Sequence, residues 1–244
     1  MEQFHLVYYI SMGEPCIAAS LEKAGLYLAQ GVRALQFDLP SRNPYRENPF
    51  IRERMARAWA RYGGYEPFLQ ALTQFRKAHP DFEMQMVSYE DVLLTIGTTR
   101  YIDFCKENGI QTVRISGDGV IELARKHMNA AGIDTLTFID YDMKPQEVEL
   151  ARTTGRAVML RNVRKGMAPR DGMVHWAERI RFLRESGVQA PIYATAEIRC
   201  GQDLLEAKAA GAAGAFVGSC LMNLWEDEPA MLDLLGDLET AANQ

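Results

Sequence analysis

Carboxylates gather at one place in the chain, at the end of the run RALQFDL and in the loop Pro40–Pro49 that follows it. Asp38 lies two residues after Gln36, and residues two apart on a strand point to the same face. Because Asp38 is nearer the end of this predicted strand, its carboxyl could serve as an acid–base group. An Asp before Leu-Pro could equally cap the loop or bind backbone amides. Glu47 places a second carboxylate within the loop.

Further carboxylates follow other predicted strands. Asp140 and Asp142 lie directly after the run DTLTFI. Hard divalent cations favour several oxygen ligands, so a cation site is one interpretation of these residues. Helix capping explains them at least as well. The side chains that could contribute to a cation site are Asp38, Asp118, Asp140, Asp142 and Glu197.

Composition excludes several classes of function. The net charge of -5 creates no field that would gather nucleic acid or anionic membrane, so we expect neither as a partner. The sequence has no run of about 18 apolar residues, as a membrane-spanning helix would need. Its start has no basic segment followed by an apolar stretch, as a secretory signal peptide would have. The four cysteines lie far apart without a CxxC, which predicts neither a disulfide scaffold nor a zinc site. We expect a cytoplasmic protein whose partners are small molecules or proteins.

An alternation of apolar and amphipathic segments predicts the strands and helices that carry these carboxylates. Amphipathic helical segments separate short apolar, β-branched runs, and this alternation favours parallel pairing with right-handed crossovers. The 244 residues are close to the roughly 250 of one (β/α)8 barrel, and no GxGxxG follows the first run. We therefore predict an α/β fold, a single TIM-barrel domain over residues 1–244. Its loop Pro40–Pro49, interpreted as the longest irregular segment, would lie on the face where barrel enzymes place their sites. The eight runs are LVYYIS, RALQFDL, EMQMVS, QTVRIS, DTLTFID, AVMLRN, APIYAT and GAFVG.

Several segments carry a family resemblance. The stretches GVRALQFDLPSRNPYRENPFI and AGAAGAFVGSCLMN resemble the tryptophan synthase alpha subunit family, whose second strand and loop read approximately LELGVPFSDPxxDGP. VYYISMGEP is similar to the family's first strand and turn, VSYEDV to its third-strand motif, and GAAGAFVGS to its eighth-strand phosphate loop. The resemblance extends over nearly the whole chain and implies the same barrel.

The resemblance implies a reaction. The family cleaves indole-3-glycerol phosphate to indole and glyceraldehyde 3-phosphate by retro-aldol chemistry, without metal or cofactor. One carboxylate handles proton transfer at the scissile side and another polarises the indole nitrogen. The first falls on Gln36, whose amide cannot shuttle protons near neutral pH. The second falls on Glu47, which has one more methylene than the family's aspartate. Asp38 is the candidate for the missing acid–base group.

The resemblance also implies substrate-binding residues. Tyr9 falls where the family has a ring against the indole, and Tyr89 matches the third-strand tyrosine, although either ring could simply fill the barrel mouth. Gly218 and Ser219 keep the eighth-strand part of a phosphate site built from backbone N–H groups.

Two positions of that phosphate site have changed. Pro169 replaces a glycine in the loop after the sixth strand and donates no N–H, and Ala196 stands at a glycine position after the seventh. Side chains could hold an anion instead. A solvated basic loop is the alternative. The candidate anion ligands are Arg161, Arg164, Lys165 and Arg199.

The implied partner is a PLP-containing beta subunit, which receives indole in the family. The family's Asp-Val-Pro after the fourth strand is replaced here by Gly117, Asp118 and Gly119, which argues against a standard channelling partnership.

Three functional hypotheses remain open. The first is a carbon–carbon lyase-like enzyme acting on a small aromatic or phosphorylated, indole-type substrate in specialised biosynthesis. The second is a non-catalytic paralogue that binds a ligand or modulates a PLP-dependent beta-subunit-like protein. The third is ordinary tryptophan synthesis that tolerates Gln36.

Overall fold

The computed structural model describes residues 4–117, 121–164 and 166–244. Within them, parallel strands follow one another in sequence order and close into an eight-stranded barrel, which confirms the predicted fold. Each of the eight apolar runs corresponds to a strand. The strands are β1 (His5–Ile10), β2 (Ala34–Asp38), β3 (Glu83–Tyr89), β4 (Thr112–Ser116), β5 (Asp134–Ile139), β6 (Val158–Arg161), β7 (Ile192–Thr195) and β8 (Gly214–Val217).

Helices connect the strands, and two of them follow β2, two follow β3 and two follow β8. The amphipathic patterns of the sequence did not indicate α3, α4 or α10. The helices are α1 (Ile17–Ala29), α2 (Pro49–Tyr62), α3 (Glu66–Ala78), α4 (Glu90–Ile96), α5 (Thr98–Glu107), α6 (Ile121–Ala130), α7 (Pro145–Thr154), α8 (Trp176–Glu185), α9 (Gly201–Ala209), α10 (Ser219–Met222) and α11 (Glu228–Asn243).

Contacts within the chain divide it into two compact units. One comprises Tyr8–Thr135, and the other comprises the part up to Val7 together with Leu136–Gln244. The assignment of residues 1–244 to a single domain stays a prediction. In the first unit Phe37 of β2 packs edge to face on Phe75 of α3, with ring centroids 5.9 Å apart. Residues on either side of Phe37 therefore point away from this helix, toward the interior of the barrel.

Strand register orders those interior side chains. Tyr9 lies beside Gln36, and Gln36 lies beside Gln85. Two residues further along the strands, Asp38 lies beside Val87, which lies beside Arg114. Polar side chains thus occupy successive layers of the barrel wall in this unit.

In the second unit a close approach of two backbones requires glycine at the start of β8. A Cβ on Gly214 would lie 2.1 Å from the carbonyl oxygen of His5 and 2.7 Å from the ring of Tyr193. The His5 ring in turn meets the Tyr193 hydroxyl at 3.2 Å. No side chain larger than hydrogen fits at this position without moving the strands.

The loop after β2 is irregular, as expected. Residues 39–48 between β2 and α2 contain no helix or strand, and Pro49 already begins α2. In the loop between β6 and α8, a short 3-10 turn at Arg170–Gly172 interrupts the irregular chain. Among the described residues, no helix is long and apolar enough to cross a membrane.

Candidate active site

Asp38 is the most enclosed carboxyl of the site. It ends β2 and is fully buried. The Tyr9 hydroxyl donates a short hydrogen bond to its Oδ2, and the backbone N–H of Met12 donates to its Oδ1 at 2.8 Å. Burial raises the pKa of Asp38 to about 6, against the lowering effect of these hydrogen bonds. A carboxyl with this pKa can both release and accept a proton near neutral pH.

Tyr9 acts as the hydrogen-bond donor in this pair. Its side chain is only partly buried, but its hydroxyl faces Asp38. Burial, and then the negative charges of Asp38 and Glu47, raise its pKa well above the usual value for tyrosine. The phenol therefore stays protonated at physiological pH and keeps its hydrogen bond to the carboxyl.

Glu47 belongs to a second cluster in the same unit. Tyr89, at the end of β3, donates its hydroxyl hydrogen bond to Glu47 Oε1 at 2.6 Å. Arg114 of β4 donates from Nη1 to the same oxygen at 2.9 Å and from Nη2 to the Tyr89 hydroxyl at 3.2 Å. Tyr89 and Arg114 thus both contact the same oxygen of Glu47, Oε1.

Arg114 was missed by sequence reasoning. It is buried, and its guanidinium carbon lies 5.7 Å from the centre of the Tyr89 ring. Desolvation lowers the pKa of Arg114, but the neighbouring Tyr89 and Glu47 more than offset this and raise it, so the guanidinium is charged. The available signal was a charged residue within the apolar run QTVRIS, since a buried charge requires a partner.

Hydrogen bonds between α2 and the loop after β2 fix the backbone at Glu47. Arg52 donates from Nε to the Glu47 carbonyl and from Nη2 to the Tyr45 carbonyl, both at 2.7 Å. Asn48 caps α2 by accepting a hydrogen bond from the N–H of Ile51 at 2.9 Å. The Tyr45 ring packs edge to face on Tyr89, with centroids 5.7 Å apart. The start of α2 therefore fixes the backbone that carries the Glu47 carboxyl.

Gln36 lies deeper along β2 and makes different contacts. It is buried, and its Nε2 donates to Gln85 Oε1 at 3.2 Å. Gln85 in turn donates to Glu83 Oε1 at 2.7 Å. The structure therefore brings Asp38 together with Tyr9, and Glu47 with Tyr89. Gln36 instead pairs with Gln85, nearer the start of the strands.

Three of the predicted anion ligands, Arg161, Arg164 and Arg199, lie in the other unit and already have carboxylate partners. Arg161 Nη1 pairs with Asp140 Oδ1 at 3.2 Å, and Arg164 Nε pairs with Glu197 Oε1 at 2.5 Å. Gly218 precedes α10, which begins at Ser219. Binding of a ligand by Arg161, Arg164, Gly218 and Ser219 stays a prediction.

The cation interpretation finds no support in the described residues, because no three His, Cys, Asp or Glu side chains there are grouped to hold a metal ion. Asp140 accepts a hydrogen bond from the N–H of Tyr141 at 2.8 Å, as an ordinary turn residue does. Asp118 and Lys165, which were candidates for a cation and an anion site, lie outside the described residues, as does Gly119.

Comparison with known proteins gives a consistent result. Residues 2–233 match the family model for the tryptophan synthase alpha chain. The chain is 25% identical over 241 residues to the tryptophan synthase alpha chain of Photobacterium profundum, covering 94% of this chain and 88% of that protein. It is 26% identical over 231 residues to that of Yersinia pseudotuberculosis, covering 92% and 85%.

Solved structures share the fold. The tryptophan synthase alpha subunit of Legionella pneumophila superposes with a TM-score of 0.77 at 17% identity, covering 98% of this chain and 92% of that one. A structure of tryptophan synthase from M. tuberculosis superposes with a TM-score of 0.81 at 16% identity, covering 100% and 94%. The family-model match extends over most of the sequence, and the chain belongs to the tryptophan synthase alpha chain family.

Proposed function

We propose that this chain is a carbon–carbon lyase that cleaves a small aromatic, indole-type substrate by acid–base chemistry, in specialised biosynthesis. Asp38 is the acid–base group and Glu47 is the carboxylate that orients and polarises the substrate. The observation that carries this proposal is the fully buried Asp38 carboxyl, hydrogen-bonded by Tyr9, with a pKa of about 6. Family membership supports indole-related chemistry but does not identify the substrate.

Asp38 would move the proton in both directions. Cleavage of an indol-3-yl carbinol requires a proton on ring carbon C3, loss of the hydroxyl proton, and breakage of the bond between C3 and the carbinol carbon. The bonding electrons return to the ring, and the carbinol carbon leaves as an aldehyde. Protonated Asp38 donates to C3, and the resulting carboxylate accepts the hydroxyl proton. A pKa near the working pH makes both steps accessible to one group.

Glu47 would act as a hydrogen-bond acceptor for the substrate. Its Oε1 accepts hydrogen bonds from Tyr89 and Arg114, and the positive charge of Arg114 balances the negative charge of Glu47 before a ligand binds. Oε2 can accept one hydrogen bond from a donor such as a ring N–H. Accepting this hydrogen bond stabilises positive charge that develops on the ring when C3 is protonated.

A second candidate function is a non-catalytic paralogue that modulates a PLP-dependent, beta-subunit-like protein. The observation that favours it is Gln36, whose amide is tied to Gln85 and provides no titratable group. One related solved structure is of a tryptophan synthase complex from Pyrococcus furiosus. Stimulation of a purified PLP enzyme by this chain, with no turnover by the chain alone, would favour this candidate.

Product analysis separates the two candidates. Indole-3-glycerol phosphate and its unphosphorylated alcohol are each incubated with the native chain and with Gln36→Glu, and indole release is followed. Release by the native chain supports the lyase proposal. Release by Gln36→Glu alone indicates a surviving pocket without working chemistry, and no release from either compound by either protein contradicts an indole-type substrate.

A further inference from the structure

The loop after β7 contains a carboxylate held by two arginines. Glu197 Oε1 lies 2.5 Å from Arg164 Nε, and Glu197 Oε2 accepts a short hydrogen bond from Arg199 Nη2. The Glu197 side chain is 18% exposed, whereas that of Arg199 is 73% exposed. Both carboxylate oxygens are therefore used, each by a different guanidinium. We call Arg164 and Arg199 the arginine clamp.

The backbone of this loop adopts an uncommon conformation to make these contacts. Ala196 and Glu197 have φ values of 64° and 57°, in the left-handed region that residues with a Cβ seldom adopt. Such conformations persist only where surrounding contacts hold them. The two ion pairs of Glu197 are contacts of that kind, and they direct its carboxylate between the two guanidinium groups.

Backbone donors in the same loop also have carboxylate partners. The N–H groups of Arg199 and Cys200 both donate to Asp203 Oδ2, at 2.7 and 3.2 Å. The N–H of Gly201 donates to Asp237 Oδ2 at 2.6 Å. N–H groups at the start of a helix are ordinary ligands for phosphate. Here three of them, at the start of α9, are already engaged by acids of the chain itself.

We propose that Glu197 is the resident anion of the arginine clamp and that it excludes phosphate and phosphate esters from the loops after β6 and β7. A phosphate group brought to Arg164 and Arg199 meets the negative charge of Glu197 and must displace it. A neutral ligand group meets no such repulsion. This inference concerns the second unit alone and does not depend on the acid–base roles proposed for Asp38 and Glu47.

The test is a titration of the full-length chain with inorganic phosphate, followed by calorimetry at pH 7.5. Glu197→Gln keeps the size of the side chain and removes its charge, which leaves both arginines available for charge-assisted hydrogen bonds. We expect this variant to bind inorganic phosphate about tenfold or more tightly than the native chain does. In Glu197→Gln combined with Arg164→Met the gain should be lost.

A second variant keeps the test decisive if Glu197→Gln fails to fold. Glu197→Gly removes the carboxylate and places glycine, which adopts positive φ freely, at the left-handed position. The matched control is Glu149→Gln, which makes the same change of charge at an exposed pair where Arg152 contacts both oxygens of Glu149 at 2.8 and 2.6 Å. Its phosphate affinity should equal that of the native chain.

Three outcomes would overturn the inference. If the native chain and the Glu197 variants all bind phosphate with equal affinity, the carboxylate excludes nothing. If none of them binds phosphate, the clamp is not an anion site. An equal gain in Glu149→Gln would trace the effect to net charge. A tenfold gain in both Glu197 variants, absent from the control, supports the inference even if the chain cleaves no indole compound.

Discussion

The Tyr9 hydroxyl on β1 donates its hydrogen bond to Oδ2 of Asp38 at the end of β2. Neighbouring strands in the barrel make this contact, because Tyr9 and Gln36 are register partners and Asp38 lies two residues beyond Gln36 on the same face. The phenol stabilises the charged form of the carboxyl, whereas burial stabilises the neutral form. The balance between these two effects sets the pH range in which Asp38 changes its protonation state.

Removal of the phenolic hydroxyl should therefore raise the pKa of Asp38. In Tyr9→Phe the carboxyl keeps its burial but loses the strongest of the hydrogen bonds that lower its pKa. We expect an upward shift of up to about one pH unit, since one unit corresponds to about 1.4 kcal/mol. Carbon-13 NMR of labelled aspartate carboxyls measures it directly. An unchanged or lower pKa would show that the Tyr9 contact does not stabilise the carboxylate.

Asp38 should also make stability depend on pH. Its pKa is about 6 in the folded chain and near 3.8 when unfolded, so the folded state binds the proton more tightly. The free energy of unfolding should fall as pH rises from about 4 through 6, because the buried carboxyl then becomes charged. The charged Asp38 carboxyl should lower the free energy of unfolding by up to about 3 kcal/mol. This loss is complete above the pKa of Asp38 in the folded chain.

Asp38→Asn isolates this contribution. The difference in unfolding free energy between variant and native chain, from urea denaturation, should shift in favour of the variant between pH 5 and pH 8. Asp103→Asn, at an exposed position of α5, is the charge-matched control and should show no such shift. A difference that does not change with pH for Asp38→Asn would contradict the raised pKa.

Glu47 and Arg114 should be energetically coupled. Glu47→Gln or Arg114→Met alone leaves a largely buried charge without its partner, at a cost of about 3–5 kcal/mol. The double variant removes both charges and should recover part of this loss, giving a coupling energy of about 1–3 kcal/mol in a double-mutant cycle.

The exposed pair Glu149 and Arg152 provides the comparison for this cycle. Its coupling should be much smaller than that of Glu47 and Arg114, because solvent screens both charges. If the Glu47 and Arg114 substitutions prove additive in urea denaturation, the contact at 2.9 Å does not stabilise the fold.

The fold was predictable because its signal is repeated. Eight apolar runs separated by amphipathic segments correspond to eight strands, although α3, α4 and α10 were not expected. Glycines with positive φ follow several of the helices, namely Gly31, Gly109, Gly132, Gly187 and Gly211. Local chemistry determines each of these features, so the sequence alone is sufficient to predict them.

The site was predictable only in part. Asp38, Glu47, Tyr9 and Tyr89 were named from the sequence, but their pairing depends on which strands are neighbours. Arg114 lies 67 positions from Glu47 in the chain, and no local pattern joins them. The pairing of Arg164 with Glu197 is likewise a contact between separate loops. Such partners follow from strand order and register rather than from spacing along the sequence.

The most direct test of the central claim is the rate of indole release by the native chain and by Asp38→Asn, with Asp103→Asn as control. The substrates are indole-3-glycerol phosphate and its unphosphorylated alcohol. We predict that Asp38→Asn lowers kcat by roughly two or more orders of magnitude while Asp103→Asn leaves it unchanged, since only the former removes the acid–base group. Equal turnover by the native chain and Asp38→Asn would contradict the assignment of Asp38 as the group that moves the proton.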